Sequence, residues 1–305
     1  MEKRYPRTIL ATACVPWGDE FNFEEGIFRK QVSLMLANGI RCIYLFGTAG
    51  EGYAVSRGLY RDIVIAFLDE MKKTEGAAPM VGVISLSMPE VIERIELGME
   101  LGATDFQISF PSWGAVTPEE GMKFILSLCK RFPDARFMHY NNYIRSKTRL
   151  EMKHYVELSK EAENLVAVKN PSMGIYDLTE FHGEELPIRF FNLEMAYGYA
   201  SMFSEAGFLM SYCNLSFAKA WEYFNAGVSR DFEAIVRLHR EIGMLIKINN
   251  ATLPGGKLDG SYDKLFVKAH IPEFPQRLLP PYEGVSDEDF ERFIAEVRAQ
   301  LPGWA

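Results

Sequence analysis

A lysine at the end of an apolar segment is the most informative residue of this sequence. Lys169 closes a segment that starts at Leu165, and Pro171, which lacks a backbone donor, is expected to stop the strand. A segment apolar on both faces is typical of a buried parallel strand, and alternation places Leu165, Ala167 and Lys169 on one face. An amine at the mouth of such a strand loses solvation, so its pKa falls and it can attack a carbonyl carbon. The alternative is a loop lysine that caps the strand in water.

A glycine-rich turn follows the apolar segment 40–46. Residues 47–52, GTAGEG, lead from that segment into a helix that begins near Ser56. Glycines let the backbone turn sharply and present consecutive N–H groups at Thr48 and Ala49, which is typical of an anion-binding site. The Thr48 hydroxyl adds a donor. A plain glycine turn is the alternative.

A phenol and a guanidinium follow the segment 136–140. Tyr140 ends this segment, and alternation places Met138 on its face and His139 on the other, toward a helix layer. A phenol beside a reacting amine can pass protons to and from a carbinolamine. Arg145 lies just beyond and has a fork that matches a carboxylate. A core tyrosine and a surface arginine are the alternatives.

Composition restricts the class of protein. The 305 residues are 48% hydrophobic and 24% charged, as in a globular protein with a large core. A net charge of −8 argues against nucleic acid or an anionic membrane as the main partner. The N-terminus has no apolar signal segment and no stretch approaches a membrane span, so we expect a cytoplasmic protein. The following cysteines are expected to be reduced core thiols: Cys14, Cys42, Cys129 and Cys213.

The sequence predicts neither a metal nor a cofactor. Its five histidines are scattered and lack the spacing of zinc ligands. It contains no Walker motif, no GxSxG and no dinucleotide fingerprint. Lysine is therefore the group expected to capture an electrophile.

Short apolar segments alternate with longer amphipathic ones. The predicted strands are 8–14, 40–46, 79–84, 104–110, 136–140, 165–169, 188–192 and 208–212. The clear helices are 24–37, 57–73, 89–101, 118–131, 150–160 and 195–206. Eight such units predict an α/β fold, a (β/α)8 TIM barrel, with its active site at the carboxyl ends of the strands. An open doubly wound sheet is the alternative, but it rarely uses eight units this regular.

The pattern after the eighth strand is helical. Helices are expected over 218–225, 231–249 and 287–301, with proline- and glycine-rich connections at 253–261 and 272–284. The sequence thus predicts a barrel at 1–215 and a C-terminal helical segment at 216–305 packed on it.

The three polar strand ends together resemble the dihydrodipicolinate synthase and N-acetylneuraminate lyase family of Schiff-base enzymes. The Gly-Thr/Ser-Thr-Gly-Glu motif of the family matches residues 47–51, its Tyr-Asn motif matches 140–141, and its lysine strand matches 166–169. A later Gly-Val-Ile-Ser element resembles 207–210 and implies that Leu209 lies at the substrate.

The resemblance implies a division of roles. Lys169 would form an imine with the keto carbon of pyruvate or another 2-oxo acid, and Tyr140 would move the protons. The turn at Thr48 and Ala49 would hold the carboxylate of the keto acid. The resemblance also implies a homo-oligomer, either a tetramer or a dimer. The expected binding partner is a small-molecule 2-oxo acid.

Two departures from the family separate the functional alternatives. Ala49 replaces a second hydroxyl, and Trp113 follows Pro111-Ser112 where the synthases have a tyrosine, so the usual proton relay is incomplete. Arg145 instead favours the synthase function, because it falls where those synthases bind the carboxylate of their aldehyde substrate. Tyr53, Tyr143 or a water can replace the missing hydroxyls.

Three functions result from these features. The leading interpretation is an imine-forming aldolase, lyase or dehydratase acting on pyruvate or a 2-oxo acid. The second is dihydrodipicolinate synthase itself, which joins pyruvate to aspartate semialdehyde. The third, of another class, is a catalytically silent member that binds an oxo acid as a sensor or serves as a scaffold.

Overall fold

Eight parallel strands close into a barrel in sequence order. The structure is a computed structural model that describes residues 4–170, 174–183 and 185–305, so the predicted strand stop at Pro171 lies outside the described residues. Each strand pairs with the next and the last pairs with the first. The strands are β1 Ile9–Thr12, β2 Cys42–Leu45, β3 Ala78–Gly82, β4 Asp105–Ile108, β5 Arg136–Tyr140, β6 Leu165–Asn170, β7 Arg189–Asn192 and β8 Gly207–Leu209. The predicted (β/α)8 barrel is confirmed.

Helices fill the connections and continue after the barrel. Those between strands are α1 Glu25–Ala37, α2 Arg57–Met71, α3 Met88–Glu100, α4 Pro118–Arg131, α5 Tyr143–Ser146, α6 Met152–Glu161, α7 Ile175–His182 and α8 Glu194–Phe203. After a 3-10 helix, Tyr212–Leu215, come α9 Phe217–Ser229, α10 Phe232–Thr252, α11 Asp259–Lys268 and α12 Asp287–Gln300. The sequence predicts neither α5, α7 nor α11 individually.

The eighth strand is shorter than expected. It ends at Leu209 because the chain turns into the 3-10 helix, where the Glu194 carboxylate accepts from the backbone N–H groups of Ser211 (2.6 Å) and Cys213 (3.0 Å). The prediction of a strand to residue 212 is therefore wrong at its end.

Apolar side chains pack on both faces of the strands. The larger cluster lies between strands and helices, and a smaller cluster fills the barrel interior. The interior cluster consists of Tyr5, Leu10, Cys42, Tyr44, Met80, Met138, Val166, Ala167, Phe191 and Leu209. All four cysteines are free and buried. Among the described helices, none combines the length and the apolarity that a bilayer crossing requires.

The prediction that Leu165 shares a face with Ala167 and Lys169 is wrong. Leu165 packs in the outer layer, whereas Val166 and Ala167 both belong to the interior cluster. The register between β5 and β6 shifts by an irregularity next to Phe137, which pairs with Leu165, and strict alternation fails there. Alternation resumes above it, so Ala167 lies beneath Lys169 as expected.

Helix α11 packs over the barrel mouth and corrects the expected connection at 253–261. Lys264 on this helix forms a fully buried ion pair with Glu51 of the turn (Nζ to Oε1, 2.5 Å). Glu51 also accepts from Trp17 Nε1 at 2.9 Å and from the Leu279 N–H at 2.6 Å. A Cβ at Gly260 would lie 3.3 Å from the Ala49 carbonyl oxygen, so the helix closely approaches the turn. The division into units at residue 215 stays a prediction.

Candidate active site

A pocket of about 230 Å³ opens at the carboxyl ends of the strands. Its wall includes residues from β1, β2, β5, β6, β8 and α11. It brings together every site residue that the sequence predicts, namely Thr48, Ala49, Tyr140, Arg145, Lys169 and Leu209.

Lys169 lies buried between two phenol rings. The side chain is 4% exposed, and its Nζ donates to the Tyr44 hydroxyl at 2.8 Å. The same nitrogen lies 4.3 Å from the ring centroid of Tyr44 and 4.0 Å from that of Tyr140. Burial lowers the pKa of Lys169 to about 8, against the attraction of Asp263 and Asp259. The alternative of a strand-capping lysine in water does not hold.

Tyr140 is held by the segment that follows its strand. Its hydroxyl accepts from Asn142 Nδ2 at 2.8 Å. Burial raises the pKa of Tyr140 to about 12, while Thr48 and Asn142, which face the phenol, lower it. Asn142 also caps α5, since its Oδ1 accepts from the Arg145 N–H at 3.3 Å. One amide thus orients both the phenol and the helix that carries Arg145.

Tyr44 is a site residue that sequence reasoning missed. It lies on β2, faces the barrel interior, and burial raises its pKa well above 10. Its position inside an apolar segment hid it, although alternation from the neighbouring residues gave a usable signal. The residues that the sequence offered instead lie elsewhere: Tyr143 is 61% exposed, and the Tyr53 ring packs edge-on against Tyr282. Trp113 is 89% exposed and neither walls the pocket nor packs on a helix.

Arg145 lines the pocket but already has a partner. Its Nη2 lies 2.8 Å from Oδ1 of Asp259 on α11. Its Nε is buried and has no hydrogen-bond partner among the described residues. The guanidinium therefore keeps one donor for a ligand while its charge is balanced by a carboxylate.

Asp263 is a second carboxylate that α11 brings to the pocket. It is buried and accepts from the Ser211 hydroxyl at 3.0 Å. Burial, and then the charge of Asp259, raise the pKa of Asp263 to about 7. The sequence did not point to either carboxylate, because Asp259 lies in the expected connection at 253–261 and Asp263 lies just beyond it, where no element was predicted.

The outward-facing His139 is structural, as alternation predicts. Its Nδ1 lies 2.8 Å from the Tyr155 hydroxyl, its ring stacks near Phe110, and burial lowers its pKa to about 3. In the described part of the chain, no group of three or more potential ligands gathers in a way that could hold a metal ion.

Comparisons with known proteins agree with this architecture. The model of the dihydrodipicolinate synthetase family matches residues 5–186. The 4-hydroxy-tetrahydrodipicolinate synthase of Methanothermobacter thermautotrophicus is 22% identical over 256 residues, 79% of this chain and 86% of the relative. That of Methanopyrus kandleri is 27% identical over 182 residues, which are 59% of each chain.

A solved structure shows the same fold. It is a prophage protein of the dihydrodipicolinic acid synthase family from E. coli K12, in complex with pyruvate. It matches 96% of this chain and 98% of its own with a TM-score of 0.83 at 12% identity. At that identity the likeness establishes the fold alone.

Proposed function

Because the chain belongs to the dihydrodipicolinate synthetase family, we propose that it is a class I lyase that forms an imine between Lys169 and pyruvate or another 2-oxo acid. The observation that carries this proposal is the buried amine between two phenols. Among the described residues no carboxylate forms an ion pair with Lys169, and the more distant charges of Asp263 and Asp259 offset the desolvation of the amine only in part. With a pKa of about 8, about a tenth of the amines are neutral at pH 7.

The proposed roles follow the geometry of the pocket. The neutral Nζ of Lys169 attacks the keto carbon, and Tyr140 carries protons to and from the carbinolamine. The carboxylate of the keto acid binds at the turn. Among the described residues, neither the Thr48 nor the Ala49 N–H donates to a backbone carbonyl, so both are free for an anion. Leu209 packs beside the methyl end of the substrate.

Tyr44 compensates for the hydroxyl that Ala49 lacks. Its hydroxyl is the one polar contact of the amine among the described residues, at 2.8 Å. A phenol there orients Nζ and can exchange a proton with it as the imine forms. This proposal replaces the earlier candidates Tyr53 and Tyr143.

The second candidate function is dihydrodipicolinate synthase, which Arg145 favours. A free Nε on a pocket arginine can bind the carboxylate of aspartate semialdehyde. The ion pair with Asp259 weakens this candidate, because the charge of Arg145 is already balanced. A homo-oligomer and a cytoplasmic location stay predictions.

One experiment tests the proposal. The protein is incubated with pyruvate, reduced with borohydride, digested and mapped by mass spectrometry. A covalent adduct on Lys169 is the expected result, and an adduct without condensation on aspartate semialdehyde removes the second candidate. If a panel of 2-oxo acids gives no adduct, the chain is a silent member of its family.

A further inference from the structure

The pocket has more carboxylates than cations available to a ligand. Among the described residues that line it, the charged ones are Lys169, Arg145, Asp259 and Asp263. The proposed imine engages Lys169 in a covalent bond, so Arg145 is the cation left for a second anionic group of the substrate. Two carboxylates stand beside this one guanidinium, and the pocket is therefore unfavourable for a further negative charge.

Asp259 occupies the guanidinium of Arg145. Its Oδ1 accepts from Arg145 Nη2 at 2.8 Å, and both residues line the pocket. The Nε of Arg145 keeps its N–H without a partner among the described residues. A carboxylate binds best to two parallel N–H donors of a guanidinium, whereas a single N–H suits a neutral oxygen such as a hydroxyl or a carbonyl.

The packing of α11 against the turn holds Asp259 in place. Asp259 is the first residue of this helix, and a Cβ on the next residue, Gly260, would lie 3.3 Å from the carbonyl oxygen of Ala49 and 3.5 Å from its Cα. The buried pair of Lys264 and Glu51 fastens the same helix to the same turn. A substrate carboxylate that displaced Asp259 from the guanidinium would still lie beside this acid, because the buried anchor keeps the helix where it is.

The negative charge of Asp259 extends to the reacting groups. Burial, and then the charge of Asp259, raise the pKa of Asp263 to about 7 and that of Tyr140 to about 12. The same charge opposes the lowering of the Lys169 pKa by burial. A second carboxylate of a substrate would enter this negative field, and repulsion between like charges is strong where water is largely excluded.

We propose that Asp259 is a specificity-determining residue, which restricts the pocket to 2-oxo monocarboxylic acids whose far end carries no second anion. This inference rests on the proposed function, because the keto group is the one that Lys169 captures. Asp259 acts by keeping Arg145 from binding a second carboxylate, while the free Nε of Arg145 accepts a neutral oxygen of the substrate as its partner. Acids with a carboxylate at both ends are therefore poor ligands.

A competition between two matched acids tests the inference on the full chain. 2-Oxopentanoate and 2-oxoglutarate have the same carbon skeleton and differ at C5, which is a methyl group in the first and a carboxylate in the second. An equimolar mixture is trapped with borohydride, and mass spectrometry measures the ratio of the two adducts on Lys169. The native chain should favour 2-oxopentanoate at least about tenfold, and Asp259→Asn should lower this preference at least about tenfold.

Matched variants separate the role of Asp259 from a general loss of charge. Asp62→Asn removes an exposed carboxylate on α2 that lies 3.8 Å from Nη1 of Arg61, and it should leave the ratio unchanged. In an Arg145→Ala background, Asp259→Asn should change the ratio less than about 3-fold, because the guanidinium that Asp259 blocks is gone. Asp259→Ser repeats the test with a residue that suits the start of a helix. The side chains of the pair are 39% and 45% exposed, so the fold depends little on it.

The outcomes distinguish the inference from the function on which it rests. Equal adducts in the native chain, or an unchanged ratio in Asp259→Asn, overturn the inference. A change that persists in full in the Arg145→Ala background overturns it as well, because Asp259 would then act without the guanidinium. A native chain that traps neither acid overturns the proposed function instead. Titration calorimetry with the same two acids then tests the preference, and equal affinities would overturn the inference.

Discussion

Both ends of the barrel interior hold a cation against a tyrosine ring. At the floor, the Arg136 guanidinium lies 5.4 Å from the ring centroid of Tyr5. Its Nε and Nη2 donate to the two oxygens of Asp105 at 2.8 and 2.6 Å. An arginine stays protonated at any pH near neutrality, and the two bonds to this carboxylate hold the guanidinium in place, so this end is permanently charged and closed.

At the mouth, the amine of Lys169 lies against two tyrosine rings but forms no ion pair with any described residue. Lys169 contacts Tyr44 and Tyr140, and burial lowers its pKa to about 8. An arginine paired with a carboxylate keeps its charge and serves the structure, whereas a desolvated lysine without an ion pair can lose its proton and react. The mouth is thus suited to chemistry and the floor to stability, as is usual in this fold.

The largest effect is expected for Lys169→Ala at the barrel mouth. It should abolish the reduced pyruvate adduct while the circular dichroism spectrum stays native, because the mouth lysine contributes reactivity. Lys247→Ala, on the exposed face of α10, is the control and should leave the adduct unchanged. Adduct remaining in Lys169→Ala would mean that another amine is the nucleophile.

The two phenols at the mouth should differ in importance. Tyr140→Phe should slow adduct formation about 100-fold or more, since it removes the proposed proton carrier. Tyr44→Phe should slow it about 10-fold, which corresponds to the loss of one hydrogen bond to the amine. Single-turnover trapping rates measure both. A larger effect for Tyr44→Phe would reverse the two roles.

The reciprocal change at the floor should affect stability alone. Asp105→Asn leaves Arg136 without its carboxylate, which should lower the free energy of unfolding by about 3 kcal/mol. Arg136 is 27% exposed, so the low end of the range for a broken buried pair applies. Urea denaturation measures the change, and Glu96→Gln, which removes the exposed partner of Arg131, should cost little. Loss of pyruvate trapping in folded Asp105→Asn would contradict the division between the two ends.

The pH dependence of trapping tests the amine directly. Only neutral Lys169 attacks the keto carbon, and its pKa is lowered to about 8, so the rate should rise about tenfold per unit below pH 8 and level off above it. Stopped trapping assays from pH 5 to 10 measure this. A rate that still rises steeply above pH 9 would show that the amine is not desolvated.

The smallest effect is expected for Arg145→Ala. It should raise the KM for aspartate semialdehyde about tenfold or less and leave pyruvate nearly unchanged, since Arg145 already pairs with Asp259. Steady-state kinetics with each substrate varied measures the split. Equal losses for both substrates would show that Arg145 is not a selective carboxylate clamp.

Local sequence patterns predicted much of the fold and part of the site. The strand ends at the turn, at Tyr140 and at Lys169 could be recognised because polar residues stop apolar segments. Parallel strands bring their carboxyl ends to one edge, which placed these residues together. Leu165 was misplaced because the irregularity between β5 and β6 depends on the partner strand. The end of β8 was misplaced because the backbone N–H groups of Ser211 and Cys213, where the 3-10 helix begins, donate to Glu194 on another element.

Local sequence patterns were enough to predict the barrel, the buried lysine strand and the phenol at the end of the neighbouring strand, because apolar periodicity depends on residues that are close together in the chain. The environment of the amine depends on long-range contacts. Tyr44 becomes its partner only when β2 and β6 face each other across the closed interior. Asp263 reaches the pocket only because Lys264 and Glu51, 213 residues apart, meet as a buried pair. Contacts across such separations depend on the whole fold and leave no periodic signal in the chain.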